Sequence, residues 1–169
     1  FKTHHFFGNI DGHHFTSEQN TLLFFYIVRD PREVVISYSR HSGISFDEMI
    51  KILINDNDII KSGYESIVNW KLNYRSWKSF ISVPSLFIKY EDLISNPQKI
   101  FNSLIFFLSR YTNVEYNEEK IKKVIDLISF NKLQNLEKKE GFSESHHSKF
   151  FFSGKINTWE KLLTKKQIE

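Results

Sequence analysis

The sequence contains no cysteine, one methionine, three prolines and six glycines in 169 residues. Without cysteine there is no disulfide, no thiol nucleophile and no cysteine-ligated metal. That absence accords with the reducing cytoplasm, which is the expected location. No run of 18 apolar residues occurs, so no segment is expected to span a membrane, and no signal peptide is visible. A net charge of +3, with basic residues scattered, makes no case for nucleic acid as a partner. What the chain does have is aromatic side chains, 16% of residues, with seventeen phenylalanines. That composition belongs to a packed globular protein and argues against disorder. Its length predicts a single domain over 1–169. The chain opens on Phe1, not Met, and the reading is of a fragment whose N-terminal part is absent.

Hydrophobic patterning predicts strands alternating with helices. Phe1–Phe7 reads as the end of a strand, followed by turn signals at Gly8-Asn9 and Asp11-Gly12. Leu22–Val28 is a central strand, apolar enough to be covered on both faces, and Pro31 to about Ser42 a helix. A short helix is expected at Phe46–Lys51, a longer one within Glu65–Phe80, and a strand at Ser85–Tyr90. Helices follow from Asn96-Pro97 to about Arg110 and from Asn117 to about Ser129. Lys132–Phe152 shows no period and reads as loop or short helix, before a terminal helix near Thr158. The fold class expected is α/β, three-layered around a central parallel sheet.

Chemistry concentrates where the central strand meets its helix. Arg29 stands at the strand's C-terminal end, where open parallel sheets bind ligands, and Asp30-Pro31 suits a helix start. A guanidinium there grips phosphate with two parallel hydrogen bonds, and Ser37 is placed to add a hydroxyl. The residues by themselves describe an anion site for a nucleotide-type ligand. Tyr90, ending the Ser85–Tyr90 strand, either stacks on a base or packs in the core, with Glu91 and Asp92 opening a helix. The pairs His4-His5, His13-His14 and His146-His147 do not make a metal site, since adjacent residues on a strand face opposite ways. Trp70 and Trp77, seven apart, read as core anchors.

The same residues resemble the sulfotransferases that use 3′-phosphoadenylyl sulfate (PAPS). Their 3′-phosphate motif, R-[DN]-P-x-[DE]-x-x-x-S-[YF], is matched by Arg29, Asp30, Pro31, Glu33, Ser37 and Tyr38. Tyr90-Glu91-Asp92-Leu93 matches the Y-E-D-[LM] segment, whose tyrosine touches adenine in that family. Phe152–Trp159 resembles the R-K-G-x-x-G-x-W segment, with Gly154, Trp159, Thr164 and Gln167 in register. Phe152 and Ser153 replace its Arg and Lys, and Asn157 replaces its second Gly. Asn tolerates the left-handed backbone a glycine adopts there, and Lys155 or Lys149 is expected to restore charge. Lys2-Thr3-His4 matches a K-T-H segment with a catalytic base and a lysine beside the transferring group.

The resemblance implies a P-loop NTPase-like sulfotransferase fold, here lacking its first strand and its 5′-phosphosulfate loop, P-K-[SC]-G-[TN]-[TS]-[WL]. It implies PAPS as cofactor and PAP (adenosine 3′,5′-bisphosphate) as product. Arg29 and Ser37 hold the 3′-phosphate, Tyr90 meets adenine, and Ser153, Gly154 and Lys155 close over the nucleotide. His4 and Lys2 are the catalytic pair, acting on a hydroxyl or amine of a small-molecule or carbohydrate acceptor. The alternatives are a nucleotide or small-molecule kinase of P-loop type and a non-catalytic nucleotide-binding remnant.

Overall fold

A computed structural model describes residues 2–10, 12–55, 60–62, 65–145 and 149–169. Over 2–6 the chain is irregular, so the strand expected at Phe1–Phe7 does not form in the described part of that stretch. An antiparallel hairpin of β1 (Asn9–Ile10) and β2 (His13–His14) follows.

Strand β3 (Phe24–Val28) leads directly into α1 (Pro31–Ser42). The Asp30 carboxylate accepts from the Arg32 N–H, and Pro31 begins the first turn. Gly43, at φ 69°, supplies the left-handed residue that ends the helix. Ser45 and Glu48 form a reciprocal capping box that starts α2 (Phe46–Ile54).

Next comes an antiparallel hairpin of β4 (Ile60–Ser62) and β5 (Glu65–Ile67), then α3 (Trp70–Lys78). The helix expected within Glu65–Phe80 therefore starts late. Backbone pairing of Ile60 with Ile67 claims its first residues, and Asn69 caps the rest through the Leu72 N–H. Strand β6 (Ser85–Lys89) is followed by α4 (Tyr90–Ser95), α5 (Pro97–Ser109) and α6 (Glu118–Leu127). Helix α7 (Phe130–Glu140) takes up the first part of the region read as loop or short helix. Its inward stripe was concealed because one inward position is an acid, Glu137, which is 9% exposed. Two one-turn helices, α8 (Trp159–Leu162) and α9 (Lys165–Ile168), close the chain.

Strands β3 and β6 pair in parallel, Phe24 with Ser85 through Val28 with Lys89. On one face Phe24, Tyr26 and Phe87 pack with Trp77, Phe80 and Val83, joined by Phe7 and Phe15. On the other, Phe107 of α5 reaches Phe25 edge-on at 5.7 Å. Helices thus flank both sides of a parallel pair, the three-layer α/β arrangement expected. The covering is unequal: Ile27 remains 56% exposed, so β3 is not buried on both faces. A second core unites α1 and α2 with the C-terminus through Val35, Ile36, Met49, Leu53 and Leu163, with Trp70 and Trp159 against it. Trp70 and Trp77 are core residues, as their spacing indicated.

Candidate functional site

The parallel register decides what meets at the sheet's C-terminal edge. Val28 pairs with Lys89, so the next residues, Arg29 and Tyr90, emerge side by side. The Arg29 guanidinium lies 4.5 Å from the Tyr90 ring centroid, close enough for a cation–π contact. Its Nη2 donates to Glu33 Oε2 at 2.9 Å and to the Lys155 carbonyl at 3.5 Å. Behind Tyr90, Glu91 Oε1 accepts from the Asp30 N–H at 3.1 Å, tying the second strand–helix junction to the first.

Glu33 is the hub beneath this cluster. Its carboxylate is 2% exposed. It accepts from the Thr158 N–H, from Thr158 Oγ1 at 3.0 Å and from the Trp159 N–H at 3.1 Å, besides Arg29. A residue of α1 therefore fastens a segment 125 positions away across the site. Arg32 seals the edge: it pairs with Asp30 at 2.5 Å and lies 3.6 Å from the centre of the Trp159 ring. Hydrogen bonding to Arg32 keeps the Asp30 carboxyl below its ordinary pKa.

The other end of that segment hangs from Glu137. This carboxylate accepts from the Ser145 hydroxyl and from the N–H groups of Phe150 (2.6 Å) and Phe151 (3.0 Å). The Ser145 bond first, and the two backbone bonds after it, lower its pKa. Between the two anchors the chain makes left-handed turns. Gly154 has φ 57°, and a Cβ there would lie 2.4 Å from Cδ2 of Phe130, so only glycine fits. Asn157 has φ 59°, the conformation expected of the residue standing in for glycine. Ser153 Oγ accepts from the Lys155 N–H at 3.4 Å. Lys155 itself is exposed.

Ser37 is exposed on α1, one turn beyond Glu33, and its hydroxyl has no partner among the described residues. Arg40, a further turn on, lies 3.4 Å from the centre of the Phe152 ring. Lys149 lies near enough to Glu137 to help lower its pKa, after the Ser145 and backbone hydrogen bonds.

The N-terminal pair is held differently. Lys2 Nζ binds both carboxylate oxygens of Glu144, at 2.5 and 2.6 Å, so it is an engaged cation. His4 is exposed, and its carbonyl accepts from Asn73 Nδ2 at 3.0 Å. Asn73 Oδ1 accepts in turn from the Tyr26 hydroxyl at 2.9 Å. Burial, with Tyr74 nearby, pushes the Tyr26 phenol up to about 12, so it stays a donor. Trp77 Nε1 to the His5 carbonyl (2.8 Å) and the Phe7 N–H to Ser76 Oγ (2.9 Å) lay the rest of this segment along α3. His4 is thereby tethered to β3 at Tyr26, about 10 Å along the strand from Arg29. Arg29, Tyr90 and Lys155 are brought together; these bonds do not carry Lys2 or His4 into that cluster.

The sequence profile of the sulfotransferase domain matches residues 1–169. The chain belongs to the sulfotransferase domain family. It is 30% identical over 154 residues to cytosolic sulfotransferase 16 of Arabidopsis thaliana, covering 82% of this chain and 45% of that protein. It is 27% identical to flavonol 3-sulfotransferase of Flaveria bidentis, covering 85% and 50%. Among solved structures, a mouse sulfotransferase complexed with PAP superposes with a TM-score of 0.63 at 17% identity, over 85% of this chain and 54% of that one. Retinol dehydratase, complexed with retinol and PAP, gives 0.65 at 18% identity, over 85% and 43%. These likenesses show the fold, and the chain spans about half the length of the curated relatives it matches.

In this sulfotransferase domain, fit to a nucleotide phosphate rests on an orphaned atom. Arg29 Nε is buried and has no hydrogen-bond partner. Such a donor costs about 1–3 kcal/mol until an acceptor reaches it. The same guanidinium reaches the Lys155 carbonyl through Nη2 and lies over the Tyr90 ring, at the edge where Tyr90 and the glycine loop converge. Among the described residues no group of His, Asp or Glu is arranged to hold a metal ion, and His146-His147 lies outside them.

Two anchoring roles escaped the sequence reading, those of Glu33 and Glu137. Both are acids embedded at inward helix positions, Glu33 just before Val34, Val35 and Ile36, and Glu137 one turn after Leu133. An acid in an apolar phase was the available signal.

Proposed function

We propose that this chain is the part of a PAPS-dependent sulfotransferase that grips the nucleotide's 3′-phosphate and adenine. The observation carrying this reading is the buried, unpartnered Arg29 Nε at the junction of β3, α4 and the glycine loop. Arg29 and Ser37 hold the 3′-phosphate, and Tyr90 offers an aromatic edge to adenine. Ser153, Gly154 and Lys155 close over the nucleotide, with backbone N–H groups and one ammonium facing the anion. When bound, the nucleotide supplies an activated sulfuryl group. His4 takes the proton from the acceptor's hydroxyl or amine as a neutral imidazole. Lys2 stabilises charge that builds on the sulfuryl oxygens. The Lys2–Glu144 pair does not oppose that role: both side chains are well exposed, and such a pair is worth at most about 1 kcal/mol.

The acceptor class follows the relatives. Flavonol sulfotransferases and a retinol-bound neighbour favour a small apolar molecule carrying a hydroxyl over a carbohydrate. Relatives named cytosolic support a cytoplasmic setting. The test is transfer from labelled PAPS to a panel of flavonols and other phenols by the full-length protein, with ATP as the rival donor. Sulfated product with stoichiometric PAP release supports the proposal. Phosphorylated product from ATP, or no transfer to any acceptor, contradicts it.

A further inference from the structure

Helix α1 carries a second cation on its site-facing stripe. Glu33, Ser37 and Arg40 recur at intervals of four and three residues, which places them in one row along the helix. The ends of that row are fixed to the C-terminal segment: Glu33 to Thr158 and Trp159, Arg40 to Phe152. The Ser153–Asn157 turn joins those two attachments, its Lys155 carbonyl meeting Arg29, and Ser37 is exposed on α1 between them. From Glu33 to Arg40 the helix rises only about 10 Å.

Arg29 is not a full free charge. Its nearest terminal nitrogen is bonded to buried Glu33, so the pair presents little net positive potential. Arg32 is likewise committed to Asp30. Arg40 has no acidic partner among the described residues. It is stacked on Phe152, the residue standing where the family motif has arginine. A guanidinium lying flat on a ring keeps its in-plane N–H groups available to an anion.

We infer that Arg40 is a nucleotide-binding residue, and that it gives the 3′-phosphate the positive charge that the family motif places on the glycine loop. Phe152 acts as the platform that orients it. The inference rests on the proposed sulfotransferase reading and deepens it: the anion site is preserved by relocating its charge from the loop to α1. Lys155 then serves as a peripheral charge, and the substitution at 152 becomes an exchange of position.

The test is isothermal titration of the full-length protein with adenosine 3′,5′-bisphosphate and with adenosine 5′-monophosphate, which lacks the 3′-phosphate. Arg40→Gln is expected to weaken bisphosphate binding about ten- to a hundredfold, the worth of one hydrogen bond between charged groups. Monophosphate binding stays within about twofold, because Arg40 serves the 3′ group alone. Adding Phe152→Arg to Arg40→Gln restores the preference. Arg40→Lys, which keeps charge but not the planar stack, falls between. Equal weakening of both ligands would mean that Arg40 merely braces the loop, and that result overturns the inference. So does an unchanged bisphosphate affinity, or a double variant no tighter than Arg40→Gln. A wild-type protein without preference for the bisphosphate has a different signature: it defeats the functional reading itself.

Discussion

Truncating Glu33 to alanine tests how far one buried carboxylate organises the site. The substitution removes the acceptor for Arg29 Nη2, the Thr158 and Trp159 N–H groups and the Thr158 hydroxyl. Each bond to a charged acceptor is worth about 1.5–3 kcal/mol, but the four share two oxygens and do not add. Loss of one partner from a buried ion pair by itself costs about 3–5 kcal/mol. Arg29 is partly exposed and Thr158 sits near the surface, so water recovers some of this. The expected loss is about 4 kcal/mol against a total of about 5–15. Urea unfolding followed by tryptophan emission reads it, because Trp159 sits directly on the broken contact. With a slope of about 2 kcal/mol per molar, the midpoint falls by about 2 M. Glu33→Gln keeps one acceptor oxygen and should lose about half as much. A midpoint shift below about 0.5 M for Glu33→Ala would refute the assignment of Glu33 as the clamp.

Other substitutions probe separate links. Gly154→Ala forces a left-handed φ on a side chain and drives its Cβ into Phe130; bisphosphate affinity should fall more than stability, as paired titration and melting would record. Asn157→Gly should be neutral or slightly stabilising, within about 1 kcal/mol, whereas Asn157→Val should destabilise, because φ there is 59°. Met49→Ala, at a site only 1% exposed, should cost about 2–5 kcal/mol in urea unfolding. The pH dependence follows from two depressed carboxyls, Asp30 and Glu137. Because their folded values lie below the unfolded ones near about 4, their stabilisation is complete above that pH. It is lost as pH falls further, through the folded values. Glu137→Gln should lower stability at pH 7 and flatten this acid limb; an unchanged limb in that variant would contradict its role.

The strand–RDP–helix unit was legible because its determinants are local: an apolar run, an aspartate cap and a proline in the first turn. Asn117 was readable as a cap for the same reason, and its side chain accepts from the Lys120 N–H. Strand β5 was not, since its three residues owe their conformation to pairing with β4 and carry helix-compatible spacing. The unequal covering of β3 depends on which helices reach it, which periodicity does not encode. At the site, Arg29 and Tyr90 were placed by motif order, and the parallel register explains their adjacency. The clamps at Glu33 and Glu137 depend on backbone N–H groups brought in by tertiary structure, so an acid in an apolar helix phase marked the positions but not their partners. The stacking of Arg40 on Phe152 was hidden likewise, its partners lying far apart in the chain.

The central claim is that Arg29 anchors a 3′-phosphate. Calorimetric titration of the full-length protein and its Arg29→Ala variant with adenosine 3′,5′-bisphosphate and 5′-AMP tests it most directly. The account predicts that the wild type strongly prefers the bisphosphate and that Arg29→Ala lowers that preference at least about tenfold, the worth of a charged hydrogen bond. Equal binding of both nucleotides by the wild type, or a preference unchanged by the loss of Arg29, would contradict it.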